Sequence, residues 1–313
     1  METYKIKKVL VPTDFSELSA CAFKAAVALC KRQNAKMTLL HVVDSMYYMT
    51  AIDANEALYP SVDTIESDYI KSYRLNMEGT VKELSLKHGI TIDAIVEMGN
   101  PADTICRVAS RDNFDLIVMG THGASGLREF FMGSNAFSVV KHASCPVLTI
   151  PGKWNRTEFK KVVFPVRLKP GAIEKYDYAR SIIAKNKSSI LIVGLAEQEN
   201  PQSFQYLADL VNLFKIQLKN DNVDFSSILY HSKEFSEKVI DAAEELDADL
   251  IVITANLDYD LKAFFIGPFA QQIVNHSQRP VLSIRKTINE SANELYLKES
   301  FANWQGQYMQ FGF

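Results

Sequence analysis

The chain has 313 residues, 47% hydrophobic and 23% charged, which suits two ordinary globular domains of about 150 residues each. Its formal net charge of −3 gives no electrostatic support for a nucleic-acid partner, and no stretch approaches the roughly 20 consecutive apolar residues of a membrane helix. Residues 1–8 are polar and lead into a strand pattern, so no secretory leader is expected there, and the four cysteines (Cys21, Cys30, Cys106, Cys145) lack C-x-x-C or metal-ligand spacing, as reduced thiols of a cytoplasmic protein would.

Residues 7–12 (Lys-Lys-Val-Leu-Val-Pro) read as a short buried strand closed by proline. Residues 16–32 then place Cys21, Ala25 and Leu29 at helical spacing, with Ser16 and Ser19 as the capping region. Residues 37–43 form a second apolar run of strand length, and residues 44–66, with Pro60, read as irregular. A long helix is expected over 66–88, stopped by Gly89 at a C-cap position, and a strand over 91–97. Pro101 opens a helix reaching Arg111, and residues 115–120 are a strand. A short helix over 134–142 and a last strand over 146–150 complete the series. Strands alternating with helices imply right-handed crossovers and a mainly parallel sheet covered on both faces.

The second half repeats this pattern. Lys160-Lys161-Val162-Val163-Phe164-Pro165 matches residues 7–12 at an offset of 153. Asp249-Leu250-Ile251-Val252, Gly267, His276 and Pro280-Val281-Leu282 match Asp115 to Val118, Gly133, His142 and Pro146 to Leu148 at an offset of 134. The offset shrinks by 19, which points to a deletion of the irregular 44–66 segment. The fold expected is α/β: two tandem Rossmann-like domains, each a five-stranded, mainly parallel sheet flanked by helices. They span 1–152 and 159–286, with a linker near 152–158 and an aromatic tail over 287–313. An apolar final strand at a sheet edge wants pairing, so the two copies are expected to pack as an intramolecular pseudo-twofold pair, with chains able to associate further as homodimers.

The segment Gly120-Thr121-His122-Gly123, nine residues, then Gly133-Ser134 follows a strand and precedes a helix. Glycines allow close backbone approach, the helix start offers N–H groups and the positive end of a dipole, and Ser134 adds a hydroxyl donor, which together make a phosphate site. Open α/β sheets bind ligands at the carboxyl ends of their strands, where strand order reverses. The G-x2-G-x9-G-[ST] spacing, the opening Val9-Leu10-Val11-Pro12-Thr13-Asp14-Phe15-Ser16 and the run Leu39-Leu40-His41-Val42-Val43-Asp44 resemble the ATP-binding type of the universal stress protein family. The resemblance covers most of 4–151 and, more weakly, 159–286.

That resemblance implies ATP, or AMP or ADP, in the first domain. Pro12, Thr13 and Asp14 would lie beside the nucleoside, Val42 against adenine, Met119 and Gly120 along the ribose, and Gly123, Gly133, Ser134 and Asn135 at the phosphates. Asp14 would help hold a magnesium ion with phosphate oxygens. Plainer roles exist for each: turn glycines at 120 and 123, a helix cap at Asp14, solvated loop side chains at His122 and Arg128, a strand-end cap at Asp44, and a structural His142. In the second copy Thr254, Leu257, Pro268 and Arg167 stand for Gly120, Gly123, Ser134 and Asp14, and only Gly267 remains. The leading reading is a cytoplasmic stress-response protein whose first domain binds ATP and which regulates a protein partner. A slow ATPase and a nucleotide-free, chaperone-like dimer stay open as alternatives. No G-x-x-x-x-G-K-[ST] loop and no catalytic residue is assigned.

Overall fold

A computed structural model describes residues 4–44, 62–121, 132–169, 171–197, 201–255 and 267–285. The first repeat runs β1 (Lys8–Pro12), α1 (Glu17–Gln33), β2 (Lys36–Asp44), α2 (Val62–His88), β3 (Ile92–Gly99), α3 (Pro101–Arg111), β4 (Leu116–Gly120), α4 (Ser134–His142) and β5 (Val147–Ile150). The second runs β6 (Lys161–Arg167), α5 (Lys175–Asn186), β7 (Ser189–Ala196), α6 (Pro201–Asn220), β8 (Phe225–His231), α7 (Phe235–Glu245), β9 (Leu250–Thr254), α8 (Pro268–His276) and β10 (Val281–Ile284). Local signals set most boundaries. Ser16 caps α1 by accepting from the Ser19 N–H, Asn100 caps α3 in front of Pro101, and Gly89 follows α2 at φ +63°.

All ten strands form one sheet in the order β3-β2-β1-β4-β5-β10-β9-β6-β7-β8. Every pairing is parallel except β5 with β10, where Thr149, Leu148 and Val147 face Val281, Leu282 and Ser283. Leu148 and Leu282 are repeat equivalents and face each other, so a local twofold axis passes between them. The preserved final strands thus cover each other's edges, leaving β3 and β8 as the outer edges of the sheet. Strand alternation sorts the core into two layers, each continuous across both repeats. Val9, Val11, Val162, Phe164 and Val166 pack with α1, α2, α5 and α6 on one face. Leu10, Ile117, Val163 and Ile251 pack with α3, α4, α7 and α8 on the other.

Two sequence expectations change. Helix α2 begins at Val62, four residues before the expected start. The expected irregular segment therefore ends at residue 61, and residues 45–61 lie outside the described set. Strand β6 runs through Pro165 to Arg167 instead of closing there. It pairs with β9 only at Val162 and Val163, so Pro165 stands where one flank of the strand already lacks a neighbour. The linker is also docked: Trp154 is buried, and Arg156 holds Asp247 at 2.6 Å and Asp249 at 2.9 Å. The shorter second repeat joins β7 to α6 through residues 197–200, and α6 has 20 residues against 27 in α2. The four cysteines are free thiols, and burial pushes Cys30 and Cys145 up to about 12. No helix among the described residues is long and apolar enough to cross a membrane.

Candidate functional site

In the first repeat β1 lies between β2 and β4, so the chain leaves β1 toward one side of the sheet and later returns on the other. The carboxyl end of β1 is therefore a topological switch point, where two crossovers diverge and leave a crevice. The ladder pairs Pro12 with Leu40, while β2 continues to Asp44, so Val42 stands beyond the end of β1.

The β1–α1 turn is built by its own side chains. The Thr13 N–H extends the ladder to the Leu40 carbonyl, and Thr13 Oγ1 accepts from the Phe15 N–H at 3.0 Å. Asp14 Oδ1 accepts from the Ser16 N–H at 3.0 Å and from Ser16 Oγ at 2.6 Å. Asp14 therefore braces the turn, while Ser16 supplies the helix cap. Phe15 takes φ +61°, an uncommon conformation for a bulky residue, and is 54% exposed. Its ring rests 4.9 Å from that of His41, which stacks on Tyr73 at 5.0 Å. His41 Nδ1 lies 3.0 Å from the Thr13 carbonyl; with a carbonyl as acceptor, that nitrogen carries the proton and donates.

The opposite wall comes from β4 and α4. The Gly133 N–H donates to the Thr121 carbonyl at 2.6 Å, and the Thr121 N–H donates to Ile150 at 3.1 Å, so the glycine segment leaves and re-enters the fold at one point. Gly133 is the N-cap of α4 at φ −60°, ψ 149°, a conformation any residue adopts. No positive φ is therefore needed at Gly133, and its N–H already has a carbonyl partner. The donors left to a ligand are the N–H groups of Ser134, Asn135 and Ala136, which the first helical turn cannot pair internally.

These walls enclose a cavity of about 190 Å³. Pro12, Thr13, Asp14, Val42, Met119, Gly120, Gly133, Ser134 and Asn135, far apart in sequence, all line it. Gly123, His122 and Arg128 lie outside the described residues. Leu40, Pro101 and Ile105 add an apolar wall that the sequence reading missed, and Ser19 and Thr121 add hydroxyls. Pro101 was findable in principle: a helix start directly after β3 must cross back over the switch point. The Phe15–His41–Tyr73 stack carried no such signal. Asp44 ends β2, and His142 Nδ1 sits 2.9 Å from the Ser138 carbonyl at the end of α4. No cluster of three metal-ligating side chains occurs among the described residues. Asp14 offers one exposed carboxylate at the cavity lip, a donor set suited to a cation that takes its other ligands from phosphates and water.

The second repeat copies the backbone and changes the side chains. The Gly267 N–H donates to the Ala255 carbonyl at 2.9 Å, and Gly267 caps α8 at φ −65°. Around it stand Arg167, Thr254 and Pro268 where the first repeat has Asp14, Gly120 and Ser134. Leu257 lies outside the described residues.

The profile of the Universal stress protein family matches residues 5–151 and 160–285. The universal stress protein YxiE of Bacillus subtilis (strain 168) is 34% identical over 145 residues, 46% of this chain and 97% of that protein. A relative from Staphylococcus aureus (strain USA300) is 32% identical over 178 residues, 56% of this chain and 99% of its own length. A crystal structure of a universal stress protein from Archaeoglobus fulgidus DSM 4304 superposes with a TM-score of 0.68 at 19% identity, covering 90% of this chain and 98% of that one, a likeness of fold.

Proposed function

Because the chain belongs to the universal stress protein family, with one family domain in each repeat, we propose that it binds one adenine nucleotide, ATP, in the first-repeat cavity and acts as a nucleotide-responsive regulatory module in the cytoplasm. The observation that carries this reading is the convergence of nine residues from four separate segments on one cavity at the switch point. Leu40, Val42 and Ile105 suit the flat apolar base, and the start of α4 with Ser134 and Asn135 suits the phosphates. Magnesium would sit between Asp14 and the phosphate oxygens, neutralising their charge.

Binding rather than hydrolysis is favoured by the lining. Asp14 is the one ionisable side chain among the described lining residues, and its Oδ1 already accepts two hydrogen bonds from Ser16. A general base would need a free, positioned acceptor near the attacking water. The test is isothermal titration of the full chain with ATP and magnesium, paired with mass spectrometry of any ligand released on denaturing the purified protein. One nucleotide per chain is expected; none, or two, would overturn the reading.

A further inference from the structure

The corresponding end of the second repeat holds an open cleft of about 440 Å³ with the opposite electrostatic character. Its lining is Arg167, Lys233, Phe235, Ser236, Pro268, Phe269 and Gln272. Four of these are repeat equivalents of residues lining the first cavity: Arg167 of Asp14, Phe235 of Pro101, Pro268 of Ser134 and Phe269 of Asn135. The first cavity has a carboxylate and no cation among its described lining residues, whereas the second has two cations and no carboxylate.

Arg167 is held in a defined pose. Its guanidinium carbon lies 5.2 Å from the centroid of the Phe235 ring and 4.7 Å from that of Phe269. Contact with two phenyl rings fixes the guanidinium plane and strips water from its faces, so its charge is less screened than that of a solvated arginine. Behind it, Lys175 is buried, its ammonium donating to the Pro165 carbonyl at 2.8 Å. Burial first, and then the charge of Arg167, push that ammonium down to about 7, so the two cations sense each other. The ring-held guanidinium, the exposed Lys233 at the rim, and the hydroxyl of Ser236 and amide of Gln272 form a ring of donors of positive or neutral charge. Donors arriving from several sides match an anion with three or more terminal oxygens better than a flat carboxylate.

We propose that this second-repeat cleft is a separate binding site for a small phosphate-class oxyanion, held by Arg167 and Lys233. It is independent of the nucleotide reading of the first repeat and would stand if that reading fell.

The test is calorimetric titration of inorganic pyrophosphate into the full chain carrying Gly133→Asp, which obstructs the first-repeat cavity, at low ionic strength. One site per chain with sub-millimolar affinity is expected. Arg167→Gln should weaken it 10- to 100-fold, the worth of a charge-assisted hydrogen-bonded pair. Lys233→Gln should weaken it about threefold or more through its charge alone, and because Lys233 is exposed this variant keeps the test open should Arg167→Gln fail to fold. Lys219→Gln, on an exposed residue at the end of α6, should change nothing. Acetate at equal ionic strength should give no comparable binding. The proposal is overturned if pyrophosphate gives no isotherm up to 10 mM, if Lys233→Gln and Lys219→Gln behave alike, or if acetate binds as well.

Discussion

Gly133 and Gly267 occupy the same point of the two repeats. Each caps a helix in extended backbone, and each gives its N–H to a carbonyl just past the preceding strand, that of Thr121 or Ala255. Around this shared bracket the chemistry diverges. The first repeat surrounds it with an acidic turn and a Ser-Asn helix start; the second places a ring-held arginine and a Pro-Phe helix start there. The difference separates two jobs that a motif scan merges. The third glycine of the motif ties the helix start to the sheet in both repeats. What differs is the set of side chains at the carboxyl end of the first strand of each repeat and at the first helical turn.

The largest expected effect tests that separation. Gly133→Asp should cost about three decades of ATP affinity: like charges about 4 Å apart repel by roughly 4 kcal/mol at an effective dielectric of 20. Gly267→Asp should leave the ATP isotherm unchanged. An equal loss from both would mean that the second repeat takes part in nucleotide binding and that the two clefts are not distinct.

A second pair should behave alike. Asp115 Oδ2 accepts the Lys7 and Lys8 N–H groups at 2.8 Å each, and Asp249 Oδ2 accepts those of Lys160 and Lys161 at 2.9 Å each. Each carboxylate thus fixes the entry to the first strand of its repeat. Asp115→Ala and Asp249→Ala should each lower the unfolding free energy by about 1–3 kcal/mol, read from urea midpoints, with ATP affinity unchanged in the second. A loss confined to one repeat would break the claim that both scaffolds are held the same way.

A third prediction, read per pH unit, concerns a position where the scaffolds differ. Lys175, buried in the second repeat, stands where the first has Ala22. Its folded-state pKa of about 7 lies below the usual 10.5. Between those values the unfolded chain holds a proton that the folded chain has released, so stability rises with pH across that window. Relative to Lys175→Met, the parent should gain stability from pH 7 to about pH 10, by up to about 1 kcal/mol per pH unit. Parallel pH profiles for the two proteins would show that the lysine keeps an ordinary proton affinity.

Much of this was readable before any coordinates. The apolar runs, the capping residues Ser16 and Asn100, Pro101 and Gly89 are local signals whose effects act within a few residues. Gly120, Gly133 and Ser134 were legible as part of an anion site from glycine spacing and strand–loop–helix order, whereas Pro12, Thr13, Asp14, Val42, Met119 and Asn135 entered only through the family resemblance. The rest depended on contacts distant in sequence. Phe15, His41 and Tyr73 stack only because β1, β2 and α2 meet at one edge of the crevice, and positions 15, 41 and 73 share no periodicity. From sequence Arg167 is a cation in place of a carboxylate, a change compatible with an anionic ligand; only its approach to Phe235 and Phe269, each on a helix, gives it a defined pose.

The sequence by itself determined the order of strands and helices, the duplication, and which repeat kept a glycine- and hydroxyl-bearing helix start. Hydrophobic period, caps and turn residues act locally and are repeated almost in register. Tertiary structure decided that the two repeats share one ten-stranded sheet through Leu148 and Leu282, and that residues 12–14, 42, 119–120 and 133–135 enclose a single cavity. It also decided that the matching cleft of the second repeat gathers two cations. Those outcomes depend on non-local edge pairing and on crossovers that bring distant segments to the same strand ends, which no local pattern encodes.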